Sequence, residues 1–434
     1  MLPTLFAAVL AVASPPSAGA VNVVFIVADD LNVELGTYGS PIVHTPSIDR
    51  LAARGVRFDR AYSQFPVCNP SRASFLSGRR PETTGVLNNT TDPRKRLAGV
   101  TLLPEHFQKH GYKTIGMGKI AHDTFPESVS WDVYEAAYGA KQVEPKGWGI
   151  ARAKEAALPD ARLAQRAARL IEECAGRRFL LAVGFSRPHT PLVAPARYFE
   201  LYPADRIALP RQAPELLALI PRTALPHDPS FRDLTPAGAR QARAAYFASV
   251  SFLDAQVGVI LDALDRLQLW ERTVVVLTSD HGFLLGEHGG WGKHGLFERI
   301  VRVPLIVAAP GAKAGVSSPR LVELVDLFPT LASLARLPLP DGLEGASFAP
   351  LLAQPERPWK RAAFSSDQRG QPAASVRTER YRYTRWPRRE QELYDYDSDP
   401  DENRNLAADP AQAGLVAEMT KLLDAGWQAA QPPP

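Results

Sequence analysis

Val21–Ala28 (VNVVFIVA) is an almost unbroken apolar run rich in Val and Ile. A run of this length without polar alternation reads as a strand buried on both faces, as in parallel sheets. Phe179–Phe185 and Thr273–Thr278 repeat the pattern, Tyr112–Met117 repeats it more weakly, and Leu305–Ala308 after Pro304 reads as one more strand. Segments of helical period lie between them. Thr45-Pro46 opens one as N-cap and first helical residue, and Gly55 closes it. Leu163, Ala167, Leu170, Ile171 and Cys174 share a face of another, which makes Cys174 a small core hydrophobe. Thr235-Pro236 opens a third, running towards Leu267. Strands alternating with helices predict an α/β fold whose sheet is covered on both faces.

After residue 355 the pattern shifts. Residues 361–396 are rich in Arg and Tyr with short strand-like pieces such as Tyr381–Trp386, Asp397–Asn405 is acidic and turn-rich, and a last helix is predicted over 411–427. A catalytic domain over 21–355 and a small α+β subdomain over 356–434 are therefore expected. Residues 1–20 carry no charged side chain, contain the apolar run Leu5–Ala13 and end in Ala18-Gly19-Ala20. They read as a secretory signal peptide. That run is too short to cross a bilayer, and no later stretch of 18 apolar residues is seen, so no membrane anchor is expected. Export is predicted, to a periplasm or the extracellular space, or to the lysosome in an animal.

Composition narrows the classes further. The 434 residues are 45% hydrophobic and 22% charged, which excludes a disordered, collagenous or coiled-coil chain. Lys plus Arg number 50 and Asp plus Glu 46, leaving +4 without a basic stripe interleaved with aromatics, so no nucleic-acid partner is expected. Two cysteines exclude a disulfide-framed miniprotein.

The chemistry concentrates where strands end. The first strand runs into Asp29-Asp30, the strand at 112–117 leads to Lys119 and His122, that at 179–185 to Arg187-Pro188-His189, and that at 273–278 to Asp280-His281-Gly282. Ligands of open α/β sheets bind beyond the carboxyl ends of the strands. For any one pair alone a structural role, as a helix cap or a core histidine, is the better reading; their joint occurrence points to a site. Asp29, Asp30 and Asp280 together would repel one another unless a cation sat among them, which suggests a divalent metal.

Pro66–Pro81 (PVCNPSRASFLSGRRP) is the sharpest segment. Pro70 suits the first turn of a helix, with Arg79 or Arg80 near its end. Cys68 then lies just before the N-terminus, where the dipole favours negative charge, and Arg72, four residues on, points to the same side. Cys68-Asn69-Pro70-Ser71-Arg72 resembles the signature of type I sulfatases, in which the cysteine becomes formylglycine. The resemblance extends through Gly78-Arg79, Asp29-Asp30-Leu31, Gly118-Lys119, Ser279-Asp280-His281-Gly282, Gly286-Glu287-His288-Gly289 and Trp291-Gly292-Lys293. It continues in Glu392-Leu393-Tyr394-Asp395 and Asp399-Pro400-Asp401-Glu402-Asn403. Lys119-Ile120-Ala121-His122, Asp280-His281, Val67 before Cys68 and Arg187-Pro188-His189-x-Pro191 are similar to an iduronate-2-sulfatase-like subgroup. The segment Gly85–Leu97 departs from the human-type pattern and leaves the sugar open.

The resemblance implies an alkaline-phosphatase-like sulfatase fold: a large mixed sheet covered by helices, with a small C-terminal α+β subdomain. It implies hydrolysis of a sulfate ester on a carbohydrate, expected to be a 2-O-sulfated uronate of a glycosaminoglycan or related polysaccharide. A formylglycine-generating enzyme is the implied maturation partner. Hydrated formylglycine at Cys68 would attack sulfur with one hydroxyl and expel sulfate with the second. Asp29, Asp30, Cys68, Asp280 and His281 would hold the cation, calcium by family expectation; histidine is an unusual calcium ligand, so magnesium or manganese stays open. Arg72, Lys119 and Lys293 would offset developing charge, His189 would protonate the leaving alcohol, and His122 would hydrogen-bond the diol and help deprotonate it. Among the rest, His288 is expected at the rim, His294 beside Lys293 as a substrate contact, Phe283 as an apolar wall for the sugar ring, and Arg377 and Arg382 either as partners for a uronate carboxylate or on a solvated face. His44, His106, His110 and His227 are expected to be solvated. Two other readings remain: a phosphomonoester, phosphodiester or phosphonate hydrolase of the same superfamily, and an inactive glycan-binding protein.

Overall fold

The computed structural model describes residues 21–137, 147–210, 212–226, 228–369 and 371–433. Residues 1–20, read above as a signal peptide, and His227 lie outside the described residues. The apolar runs become the centre of a nine-stranded sheet. Its strands are β1 (Asn22–Asp29), β2 (Val56–Tyr62), β3 (Lys113–Gly118), β4 (Val133–Glu135), β5 (Phe179–Pro188), β6 (Thr273–Ser279), β7 (Arg302–Val303), β8 (Leu305–Ala308) and β9 (Val316–Glu323). The order is β7-β2-β8-β6-β1-β5-β3-β4, with β9 also on β2. β6, β1, β5, β3 and β4 run parallel, while β8 is antiparallel to both of its neighbours, so the sheet is mixed.

Every residue of β1 is buried, for the reason its composition suggested: helices cover both faces. Val24, Ile26 and Ala28 face a core built with α1 (Pro46–Arg54), α3 (Pro159–Glu173) and α4 (Pro236–Arg266). Val23, Phe25 and Val27 face the opposite core, with Phe75 of α2 (Cys68–Ser77) and Leu331 of α5 (Leu327–Leu334). The period of two along a strand divides one apolar run between two cores.

Helix limits follow the sequence closely, and capping does so in part. Thr235 accepts from Gly238 N and caps α4 as expected. Thr45 does not cap α1; its hydroxyl oxygen accepts from Gly36 N at 2.9 Å instead, binding the preceding loop. Cys174 ends α3 in the core as a free thiol. By length and composition α4 could cross a bilayer, contrary to the sequence reading, but 89% of its apolar window is buried inside the fold.

The C-terminal region forms a second, four-stranded antiparallel sheet from β10 (Ala363–Arg369), β11 (Gln371–Arg377), β12 (Tyr381–Arg385) and β13 (Gln391–Asp395), covered by α6 (Ala413–Ala425). Buried ions join it to the main sheet. Lys360 Nζ lies 2.7 Å from Glu323 and 2.6 Å from Asp326, and Arg80 meets Glu323 with two hydrogen bonds at 2.9 and 2.7 Å. Arg377 and Arg382 are part of a similar network with Glu298, and Arg382 also reaches Glu402. Both guanidinium groups are therefore spent on structure, correcting their expected role at a uronate carboxylate.

Candidate active site

Five elements converge at the carboxyl edge of the main sheet. Asp29 ends β1, Lys119 follows β3, His189 follows β5, Asp280 and His281 follow β6, and Cys68 is the first residue of α2. The helix starts two residues earlier than Pro70 suggested. Val67 supplies no side-chain cap. Asn89 Oδ1 accepts from Asn69 N at 3.0 Å instead, and Asn69 Nδ2 donates to the carbonyls of Asn88 and Thr91. A distant loop thus caps the helix and places Cys68 in its first turn. Gly78, with φ 66°, ends it.

Cys68 Sγ lies 3.4 Å from Asp29 Oδ1, 3.4 Å from His281 Nε2 and 3.1 Å from Lys293 Nζ. Lys293 Nζ also donates to Asp30 Oδ1 at 2.9 Å, and Lys119 pairs with Asp29. Arg72 Nε donates to Asp280 Oδ2 at 2.9 Å, and Nη2 stands 3.5 Å from Asp29 Oδ1. Each of the three carboxylates thus has a basic partner. Burial would push Asp29 and Asp30 up; Lys119 on the first, Lys293 on the second and His189 on both hold them below the ordinary carboxylate range. The repulsion that suggested a cation is already answered by protein side chains.

A different observation argues for the metal. Ligand atoms of Asp29, Asp30, Cys68 and His281 all lie within 4.8 Å of one another, and all four residues are buried. Asp30 Oδ2 is buried without a hydrogen-bond partner among the described residues. Burial disfavours charge on His281, yet Asp280 and Cys68 outweigh it and push the ring up to about 9. His189 is treated likewise by Asp30 and Asp29, also to about 9. The spot therefore draws positive charge, and two carboxylates with an imidazole suit a divalent ion. Asp280 stands outside this group of four. Its Oδ2 takes Arg72, and its Oδ1 accepts from the backbone N–H of Asp30 at 3.2 Å and of His281 at 3.0 Å.

His189 Nδ1 lies 2.6 Å from Thr190 O, so Nδ1 carries the hydrogen and Nε2 faces the site, 3.9 Å from Asp30 Oδ2. His122 is close enough to Lys119 and Arg72 that these, after burial itself, push it down to about 4. Its Nδ1 accepts from Thr124 N at 3.3 Å, and among the described residues no hydrogen bond joins it to Cys68. A cavity of about 350 Å³ opens beside Asp29, Lys119 and His189, with Asp123, Arg187 and Thr190 on its walls.

Other expectations need correction. Phe283 is 1% exposed and stacks on Tyr246 in the core, so it is no wall for a sugar. His288 is buried, stacked on Phe297 and bonded to Gln212. His106 is buried with Nε2 at Pro338 O, not solvated. His294 is half exposed beside Lys293, 4.0 Å from Asp367 of β10. Sequence reasoning missed Tyr246 of α4. Asp30 has φ 66°, a conformation costing about 1–3 kcal/mol in a residue with a side chain. The Tyr246 hydroxyl holds this turn by donating to Asp30 O at 2.7 Å and accepting from Asn32 N at 2.9 Å. A tyrosine inside a 31-residue helix gives no sequence signal of such a role.

Known proteins share this arrangement of chain. The family model described as Sulfatase matches residues 21–337, and that described as N-sulphoglucosamine sulphohydrolase, C-terminal, matches 286–428. Iduronate 2-sulfatase of Mus musculus is 32% identical over 92% of this chain and 93% of its own. Among solved structures, BT1596, a 2-O GAG sulfatase, superposes with a TM-score of 0.80 at 26% identity, covering 94% of this chain and 91% of the other. The phosphonate monoester hydrolase of Agrobacterium radiobacter has a TM-score of 0.83 at 24% identity, over 93% and 95% of the two chains, a likeness of fold.

Proposed function

The chain belongs to the sulfatase family, as an iduronate-2-sulfatase-like member of the type I enzymes, and from that footing we propose that it removes sulfate from a 2-O-sulfated uronate of a glycosaminoglycan or related polysaccharide. The observation that carries the reading is the buried group of Asp29, Asp30, Cys68 and His281 with an ammonium 3.1 Å from Sγ. The thiol stands where the oxygens of formylglycine would be. The names borne by the mouse relative and by the 2-O GAG sulfatase support the choice of sugar position.

Asp29, Asp30, His281 and residue 68 would hold the cation, with Asp280 and Arg72 bracing them. When present, a hydrated formylglycine would offer one hydroxyl to attack sulfur and a second which, on losing its proton, would expel sulfate and restore the aldehyde, while the cation would lower the pKa of the first and polarise a sulfate oxygen. The chain's own groups do the remainder. Lys119 and Lys293, with carboxylates beside them, keep their charge and face the sulfonyl oxygens as these gain negative charge. Arg72 is held by Asp280 Oδ2 and by the carbonyls of Lys119 and Ile120, so it acts as a fixed positive charge. His189 carries its acid proton on Nε2 and delivers it to the leaving alcohol. In His122 the bond from Thr124 N to Nδ1 puts the hydrogen on Nε2, so it begins as a donor to the diol and not as its base. Export, to a periplasm or the extracellular space, or to the lysosome in an animal, is part of the same proposal.

Mass spectrometry of the tryptic peptide Ala61–Arg72 from the native host tests the nucleophile: formylglycine appears as loss of sulfur and gain of an aldehyde oxygen. An unmodified thiol in active protein would refute it. Matched aryl sulfate and aryl phosphate esters, each with and without chelator, test the reaction. Chelator-sensitive sulfate release is expected; faster phosphate release would favour the phosphoesterase reading. A disaccharide sulfated at O2 of the uronate should be desulfated ahead of one sulfated on glucosamine.

A further inference from the structure

The pairing of β5 with β1 slips just before the site. Val27 is opposite Gly184, but Asp29, two residues on, is opposite Pro188, four residues on. β5 therefore bulges over Phe185–Arg187, and a bulge beside an active site re-aims the side chains beyond it. The bulged N–H groups have lost their strand partners and need others. Asp160, second residue of α3 and 2% exposed, supplies them. Its Oδ1 accepts from Ser186 N at 3.1 Å and its Oδ2 from Arg187 N at 2.9 Å. The Arg187 guanidinium then donates to His189 O at 3.1 Å and Pro191 O at 2.7 Å, while His189 N donates to Ser186 O at 2.9 Å. Pro188 and Pro191 have no N–H to offer, so this set of bonds holds the segment that carries His189.

We propose that Asp160 is a positioning residue for the sulfatase reaction: its carboxylate holds the β5 bulge so that His189 Nε2 faces the leaving oxygen. The two N–H groups require two acceptors. Asparagine at 160 keeps the shape but offers one acceptor and turns an NH₂ against the second N–H. The bulge then relaxes and His189 moves, while the cation ligands on β1, β6 and α2 stay in place. This rests on the general-acid role of His189 for its kinetic signature, but not for the positioning itself.

The experiment compares wild type, Asp160→Asn, His189→Ala and the double variant on aryl sulfates of rising leaving-group pKa. Asp160→Asn is expected to cost about tenfold or more in kcat on phenyl sulfate and much less on nitrophenyl sulfate, with KM little changed. In the His189→Ala background it should cost nothing further, because residues acting through one group are not additive. An equal cost in both backgrounds, or no cost in either, overturns the proposal. If His189→Ala shows no leaving-group dependence, the general-acid reading fails, and the double variant still decides the positioning. Should Asp160→Asn not fold, as its melting curve would show, Arg187→Ala releases the same segment with Asp160 intact. The same pattern is expected of it, and an equal loss in both backgrounds would again overturn the proposal.

Discussion

At residue 68 the side chain counts for less than what surrounds it. Burial and Asp29 push the Cys68 thiol up, but Lys293 and Lys119 outweigh them and bring it down to about 7. The same ammonium groups favour any anionic nucleophile at that point. Serine there would keep one attacking hydroxyl and lose the second. Cys68→Ser is therefore expected to take up one sulfate and stall, seen as a single covalent adduct by intact-mass measurement; steady turnover by this variant would refute the two-hydroxyl route. His189→Ala, by contrast, should turn over, with its loss growing as the leaving group worsens.

At the level of elements, the site depends on how closely β3 and β5 approach. Lys119 N donates to Gly184 O at 2.9 Å. A Cβ on Gly184 would lie 2.1 Å from Lys119 O, and Gly118, at φ 64°, faces Gly184 O just as tightly. Both contacts are with backbone, which cannot step aside cheaply. Gly184→Ala is expected to cost about 1–3 kcal/mol of stability, as overpacking does, and to displace Lys119 from Asp29. Denaturant unfolding gives the first effect and kcat on a sulfate ester the second. Unchanged activity would mean that the strand ends move together.

Over the whole molecule, buried charges join the C-terminal sheet to the catalytic domain, and two buried carboxyl groups, Glu298 at that junction and Glu392 inside the C-terminal subdomain, bias stability in opposite directions with pH. Burial pushes Glu298 up, but Arg377 and Arg382 outweigh it and bring it to about 2. Its contribution is complete above its ordinary value of 4.5 and is lost as pH falls towards 2. Glu392, buried against Tyr394 and Trp386, is pushed by burial up to about 7. There the native state binds the proton more tightly, so the contribution is whole below pH 4.5 and is lost as pH rises towards 7. Glu392→Gln should flatten that decline, read as melting temperature against pH; an unchanged slope between those limits would place the dependence elsewhere.

The sequence by itself determined the central strands of the main sheet and the polar residues at their ends, while the strands Val56–Tyr62, Val133–Glu135, Arg302–Val303 and Val316–Glu323 carried no such signal. Val21–Ala28 reads as a doubly buried strand, because an almost unbroken apolar run of Val and Ile has no side to turn to water. Asp29-Asp30, Lys119, His189 and Asp280-His281 were legible because polar residues just after parallel strands emerge at one edge, and the Cys68–Arg72 motif through its resemblance to a family signature at a helix N-terminus. Only the tertiary structure decided who partners whom. Arg377, Arg382, Phe283 and His288 looked available because a sequence does not show burial, and contacts with Glu298, Tyr246 and Gln212 removed them from the site. Asn89, Asp160 and Tyr246 gave no signal, since their roles rest on hydrogen bonds between segments 20 to 216 residues apart. Local periodicity records which way a side chain must face; the partner it finds there depends on long-range packing.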